Sequence, residues 1–285
     1  MTPPQGRAVR GDPLHVQVAR NIRNQIEAGV LRHGDVLPST RELAREWNVS
    51  VFTISEAMKI LAAEGLVDSR SRSKRVITAP TQTHARTVLT TRPQLILIGG
   101  YAGSGKTELG RIIARQTGWP MLDKDTMTRP MLEGALELLG LSPNDRESEQ
   151  YLTLLRPLEY QCLMAAVREN VDCGNSVVAT APFIAEFRDP SWLNRTLAAF
   201  DDAGASTTIV WVYCDADTMH TYLRHRGAAR DATKLANWSG YLESIDLDFR
   251  PPVPHVVVDN SASASPLQLQ ASELLQAITA NEASR

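Results

Sequence analysis

The sequence is poor in the features that mark secreted and membrane proteins. Its 285 residues hold only three cysteines, Cys162, Cys173 and Cys214, widely spaced and odd in number. That argues against a disulfide framework and a cysteine metal site, and fits buried thiols in a reducing compartment. No apolar run approaches the ~18 residues of a membrane helix. The opening Met1-Thr2-Pro3-Pro4 lacks the basic-then-apolar layout of a secretory signal. The expectation is a cytoplasmic protein with no membrane partner. Net charge is also scarce, at -2 overall, but it is unevenly spread: residues 1–80 carry 12 basic and 8 acidic side chains, the remainder 18 and 24. A polyanion would therefore meet the front of the chain. With 43% hydrophobic and 22% charged residues, the composition is ordinary for a globular protein. The length suggests about two domains.

Residues 1–79 read as the first domain. Asp12-Pro13 signals a helix start, and Leu14, Val18, Ile22 and Ile26 recur at helical spacing until Gly29. Ser39-Thr40-Arg41-Glu42 is a capping box for a second helix through Leu43, Ala44 and Trp47. Ser50 caps a third helix, with Ile54, Ala57, Met58 and Leu61 as its apolar stripe and Val51, Phe52, Ser55, Glu56 and Lys59 outward. Leu66-Val67 and Val76-Ile77 are strands of a small hairpin whose tip, with Arg72, Lys74 and Arg75, is basic. Three helices and a hairpin make an α+β winged helix-turn-helix, in which the third helix enters the major groove and the tip suits phosphate. Residues 80–93, threonine-rich and bracketed by prolines, read as a linker, with 94–285 as the second domain.

The second domain is organised around Gly100-Tyr101-Ala102-Gly103-Ser104-Gly105-Lys106-Thr107, between the apolar run Leu95–Ile98 and a predicted helix. This is G-x-x-x-x-G-K-T in the strand-to-helix context of a phosphate-binding loop. Gly100, Gly103 and Gly105 let successive N–H groups, Ser104 included, turn toward a phosphate. Lys106 is placed to bridge the β- and γ-phosphates and Thr107 to bind Mg²⁺, so the cofactors expected are ATP and Mg²⁺.

Asp123 and Asp125 follow the next short strand, at the end where open sheets bind ligands. Asp125 is the candidate base for an acceptor hydroxyl. Asp123 is the runner-up or a ligand to Mg²⁺-bound water, and one of the two also reads as a helix N-cap. Arg129 suits an anionic substrate. A helix is predicted from about Glu147 to Val171, bent near Pro157. The strand Ser176–Thr180 ends without a carboxylate, which leaves the metal to Thr107, phosphate oxygens and water. Arg226 and Arg230, around Gly227, read as a lid that stabilises charge on a transferring phosphoryl group. His225, just before Arg226, reads as polar surface, and the loop from Asn260 to Ser263 as neighbour to a nucleotide base.

From Pro13 to about Ile77 the sequence resembles the GntR family of bacterial regulators. The resemblance rests on Gly34-Asp35-Val36-Leu37-Pro38-Ser39-Thr40-Arg41-Glu42-Leu43-Ala44, on Val49-Ser50, and on Leu61-Ala62-Ala63-Glu64-Gly65-Leu66-Val67. It implies that Ser39 and Arg41 hold DNA phosphates and that Thr53, with Ser50 and Ser55 on the same helix, faces backbone or bases. The chain departs from the family at Val51 and Ser55, where arginines are usual.

From about Gln94 onward it resembles small-molecule P-loop kinases of the zeta-toxin and chloramphenicol-phosphotransferase group. The carriers are the phosphate loop, Asp123-Lys124-Asp125-Thr126 and Arg226-Gly227-Ala228-Ala229-Arg230-Asp231. That implies an α/β three-layer domain with a parallel five-stranded sheet. Two readings stay open. One is a dimeric (or larger) regulator of a double-stranded DNA operator whose kinase-like domain senses ATP and a small hydroxylated ligand. The other is a small-molecule kinase, or weak ATPase, with an autoregulatory winged helix.

Overall fold

The computed structural model describes residues 12–71, 74–78 and 90–283. Pro13 flanks α1 (Leu14–Glu27). The chain then crosses β1 (Val36–Leu37) to α2 (Thr40–Trp47). The capping box there is complete: Ser39 Oγ accepts from the Glu42 N–H at 3.3 Å, and the Glu42 carboxylate accepts from the Ser39 N–H at 2.8 Å. Asn48, at φ 52°, ends the helix in the left-handed region. Next come α3 (Val51–Ala63), capped by Ser50, then β2 (Val67–Ser71) and β3 (Lys74–Ile77). The sheet has three antiparallel strands in the order β1-β3-β2, one more than the expected hairpin. Two residues, Val36 and Leu37, were too short a run to signal a strand; they gain it by pairing with Val76 and Arg75. Val18, Ile22, Leu43, Trp47, Ile54 and Leu61 close the core of this winged helix.

The second unit begins with β4 (Gln94–Gly99), buried along its whole length, and α4 (Lys106–Thr117). It continues through β5 (Met121–Asp123) and α5 (Lys124–Leu138). The helix expected from about Glu147 runs unbroken from residue 149 into α6 (Arg156–Asp172), and the interruption expected near Pro157 is a π-turn at Tyr151–Leu155. Pro157 follows directly on that turn, where the widened helix accommodates its missing N–H. There follow β6 (Val177–Thr180), α7 (Ile184–Arg188), α8 (Pro190–Asp202), β7 (Ser206–Tyr213) and α9 (Ala216–Arg226). The chain ends through α10 (Ala232–Ala236), α11 (Trp238–Ser244), β8 (Val256–Asp259) and α12 (Leu267–Ala283).

The sheet order is β5-β6-β4-β7-β8, every pair parallel. Its strands are apolar on both faces because helices cover both. Ile96, Ile98, Val210 and Val212 pack on one side with Leu109 of α4 and Leu274 of α12. Leu95, Leu97, Ile209 and Trp211 pack on the other with Leu163 of α6 and Leu193 of α8. This is the expected three-layer α/β domain. The chain leaves β4 in one direction toward β6 and β5 and in the other toward β7 and β8, so a crevice opens at the carboxyl end of β4.

The two units pack directly together. Ala28, at the end of α1, joins the core cluster formed by α4, α12 and the sheet.

Candidate nucleotide and phosphoryl-transfer site

The phosphate loop fills that crevice. Gly100 anchors its start, donating its N–H to the Pro182 carbonyl at 3.1 Å. Gly103 (φ 82°) and Gly105 (φ 96°) sit in the left-handed region. They also have no room for a side chain: a Cβ would lie 2.9 Å from Leu223 Cγ at the first and 2.2 Å from Asn260 Nδ2 at the second. Ser104 is buried, and its Oγ has no hydrogen-bond partner among the described residues. Lys106 Nζ donates to the Tyr101 carbonyl at 2.8 Å. Burial, then the nearby Arg226 charge, pushes its pKa down to about 8. Nested N–H groups, a helix N-terminus and a half-buried ammonium fit a polyphosphate.

The two aspartates divide between two tasks. Asp123 caps α5, its Oδ1 accepting from the Thr126 N–H at 2.9 Å. Its Oδ2 accepts from Thr180 Oγ1 at 2.7 Å and from Thr107 Oγ1 at 3.2 Å. The carboxylate missing from the end of β6 is thus supplied from next door, because Asp123 is the register partner of Thr180. Asp123 and Thr107 together fit a Mg²⁺ ion. Among the described residues no group of three or more His, Cys, Asp or Glu side chains forms a metal cluster, so phosphate and water would complete its shell.

Asp125 stands two residues further on, in the first turn of α5, half-exposed and 3.1 Å from Lys124 Nζ. Lys124 is itself buried and paired with Glu159 at 2.7 Å, and Glu159 also accepts from Thr128 (2.7 Å) and from the Tyr151 hydroxyl (2.9 Å). This buried network holds the start of α5 against α6. The sequence reading missed it, since Lys124 and Glu159 are 35 residues apart.

Asp125 borders two cavities. One, of about 410 Å³, runs along the phosphate loop. The other, of about 540 Å³, lies between α5, α6, α7 and α11 and has Arg146, Arg156, Arg188 and Lys234 in its wall. Arg226 borders both. Its guanidinium is fixed by the buried Asp231, with Nε and Nη2 at 3.0 and 2.5 Å from Oδ2. Arg129 lines the first cavity, and the side chain of Arg230 lies outside the described residues.

The winged helix reaches this site through α1 and α2. Arg20, 1% exposed, donates to Asn260 Oδ1 and the Asp259 carbonyl, both at 3.1 Å, to the Ser265 carbonyl at 2.8 Å and to the Ala264 carbonyl. Asn24 Nδ2 donates to the same Asn260 Oδ1 at 2.9 Å, while Asn260 Nδ2 holds the Ser104 carbonyl of the phosphate loop at 3.0 Å. His225 is not polar surface: its ring stacks on Trp47 at 3.6 Å and 11°. Burial pushes its pKa down to about 4, so it is a neutral imidazole at physiological pH. Sequence spacing inside either domain cannot signal contacts that exist only between them.

The residues named for DNA that the structure describes lie on or next to α2, α3 and β3. Ser39 and Arg41 are exposed at the start of α2. Ser50 Oγ and Thr53 Oγ1 share a hydrogen bond of 2.8 Å at the α3 cap, and Ser55 Oγ donates to the Val51 carbonyl at 2.9 Å. Arg75 Nη1 donates to Thr40 Oγ1 at 2.5 Å, tying β3 to α2. Glu56 is neutralised by Lys59 at 2.7 Å. Arg72 and the side chain of Lys74 lie outside the described residues. Phe52, 73% exposed, projects from the first turn of α3.

Comparison with known proteins assigns the two units separately. The family described as "Bacterial regulatory proteins, gntR family" matches residues 14–76, and the family described as "AAA domain" matches residues 95–247, more than half the chain. The HTH-type transcriptional regulator GgaR of Escherichia coli is 40% identical over 65 residues, 23% of this chain and 26% of that protein. A shikimate kinase of Moorella thermoacetica is 42% identical over 62 residues, 21% of this chain and 32% of its own. The chain thus spans about a quarter to a third of these curated relatives. Among solved structures, a gluconokinase from Sinorhizobium meliloti aligns with 21% identity and a TM-score of 0.43, over 66% of this chain and 95% of that one. No helix among the described residues is long and apolar enough to cross a membrane.

Proposed function

This chain belongs to the AAA domain family, and on that premise we propose that it is an ATP-binding transcriptional regulator of the GntR type. The winged helix, residues 1–79, binds a double-stranded operator, and the P-loop domain, residues 94–285, is its effector module. The carrying observation is the buried Arg20, which ties the DNA-binding unit to the loop beside the phosphate loop. A ligand in that loop has a physical route to the arrangement of the DNA-binding helices, and it acts by binding one arrangement better than another. The same reading takes the protein as cytoplasmic and its DNA-bound form as a dimer on paired half-sites. The roles assigned are Lys106 and the loop N–H groups on phosphates, Thr107 and Asp123 on Mg²⁺, and Ser39, Arg41 and Arg75 on DNA phosphates. A gel shift on DNA upstream of the protein's own gene, with and without ATP–Mg²⁺, tests this. The expected result is an ATP-dependent change in affinity that Lys106→Ala abolishes. Operator binding indifferent to both would refute it.

The second cavity favours a further reading, phosphoryl transfer to a hydroxylated anion. Asp125 stands between the phosphate loop and a chamber walled by Arg146, Arg156, Arg188 and Lys234. Such a chamber suits a carboxylate or phosphate on the acceptor, with Asp125 taking the hydroxyl proton and Arg226 and Arg230 meeting the transferring group. ADP release on adding hydroxy acids or sugar acids separates a kinase from a sensor that only binds ATP.

A further inference from the structure

The cavity along the phosphate loop has walls from both units. Its lining includes Gly103, Gly105 and Lys106 of the phosphate loop and Asn21, Asn24 and Gln25 of α1. Three residues of its lining each carry a buried polar atom without a hydrogen-bond partner among the described residues: Asn24 Oδ1, the Tyr222 hydroxyl and His225 Nδ1. Asn24 is 1% exposed and Tyr222 7% exposed, so open solvent does not satisfy them. Buried polar atoms left unpaired cost about 1–3 kcal/mol each, so this junction between the units is short of hydrogen-bond partners. All the polar residues that α1 contributes to the lining are amides, and Tyr222 and His225, whose imidazole burial keeps uncharged, line it too, alongside the charged Glu108, Arg111, Arg129 and Arg226. A carboxamide presents a donor beside an acceptor, the pattern that matches the edge of a purine such as adenine.

We propose that α1 of the winged helix forms part of the nucleotide site, with Asn21, Asn24 and Gln25 contacting the base of a nucleotide whose phosphates lie in the Gly100–Thr107 loop. This rests on the reading of that loop as an ATP site and adds that the DNA-binding unit itself touches the ligand. The nucleotide then bridges the two units, with its phosphates on one and its base partly on the other. A volume of about 410 Å³ is within the range of small-molecule sites.

Calorimetric titration of the full chain with ATP and, separately, with inorganic tripolyphosphate tests the assignment. Tripolyphosphate reads the phosphate loop without the base. Asn24→Ala, Asn21→Ala and Gln25→Ala are each expected to lower ATP affinity about tenfold, the loss of one well-made hydrogen bond, while tripolyphosphate affinity stays within about twofold. Asn24 also bonds Asn260, so the half-buried Asn21 and Gln25, whose side chains bond each other at 2.6 Å within α1, carry the test if Asn24→Ala fails to fold, with the melting midpoint without ligand as the check. If ATP and tripolyphosphate weaken equally, or neither weakens, the unpaired atoms are filled by water and α1 is a packing contact only. That outcome overturns the inference and leaves the phosphate loop intact. A wild-type chain that binds neither compound refutes the ATP reading and this inference with it.

Discussion

Arg20 is the most exacting test of the union between the two units. Its guanidinium is buried, which lowers its pKa, and it donates to four acceptors on the segment from β8 to α12. Arg20→Ala removes all four bonds, but three of the acceptors keep a second partner. Asn260 Oδ1 still accepts from Asn24 at 2.9 Å, and the Asp259 and Ser265 carbonyls still accept from Gln270 Nε2 at 2.7 and 2.6 Å. Charge-assisted bonds contribute about 1.5–3 kcal/mol each, but the cation's desolvation opposes them and the retained partners soften the loss. The net cost to docking is about 2–4 kcal/mol, a factor of about 30 to 1,000 in the docked population. Differential scanning calorimetry and small-angle scattering read this directly. The wild type should melt in one coupled transition and scatter as a compact particle. Arg20→Ala should show two transitions and a larger radius of gyration, and Arg20→Lys, with three donors on a point charge, should fall between. An unchanged single transition and scattering profile in Arg20→Ala would refute the claim that this side chain holds the units together.

Three further expectations concern other parts of the molecule. Burial raises the Glu27 pKa to about 7, against opposition from Arg23, the Gln268 backbone N–H and Arg20 and with help from Glu64. The folded chain therefore binds a proton that the unfolded chain has lost between its ordinary pKa and about 7. Stability from this group is present at low pH and declines as pH rises through 7; Glu27→Gln should flatten that decline, seen as melting midpoints compared at pH 5.5 and pH 8. Asp125→Asn should lower any acceptor-dependent ADP release about 100-fold or more, the usual worth of a positioned base, and turnover equal to wild type would remove Asp125 from that role. Phe52→Ala should weaken binding to the preferred operator severalfold by losing an apolar contact such as a thymine methyl. Non-specific DNA binding should stay unchanged in the same salt-matched titration, because phosphate contacts do not involve the ring.

The parts of the fold written in local patterns were legible in the sequence. The capping box at Ser39–Glu42 encodes the start of α2 through bonds spanning three residues, and the phosphate loop encodes its own turn. The apolar runs Leu95–Ile98 and Ser176–Thr180 announce β4 and β6, while the parallel five-stranded sheet was implied by the resemblance to P-loop kinases. Less legible were features whose partners are far apart in sequence. Asp123 shares Thr107 and Thr180 only because β5 lies beside β6. Lys124 is buried because Glu159 arrives from α6. Arg20, Asn24, Trp47 and His225 look like surface residues or members of a single domain's core until the units are brought together. For Arg20 and Asn24 a faint signal was present: α1 carries them opposite an apolar stripe that already faces α3, with Asn21 and Gln25 on its flank. A second polar face of that kind is expected of a helix with two neighbours.

The position of α1 also fixes the form any coupling must take. Its apolar face supports α3, the helix proposed to meet DNA, and its polar face meets the phosphate-loop domain. Contacts between a nucleotide base and Asn21, Asn24 or Gln25 exist only while the units are docked, so nucleotide adds stability to the docked arrangement alone and raises its population. A tenfold contribution corresponds to about 1.4 kcal/mol, inside the 1–3 kcal/mol typical of coupling between sites. Linkage makes the effect reciprocal: an operator that selects the docked arrangement must tighten ATP, and one that selects the separated arrangement must loosen it, by the same factor that ATP changes operator affinity. Measuring ATP affinity with and without operator, and operator affinity with and without ATP, closes this cycle. Because both legs rest on one helix, Arg20→Ala should shrink the two factors together. A variant that abolished one factor and preserved the other would show that the two sites communicate by a path that does not run through α1.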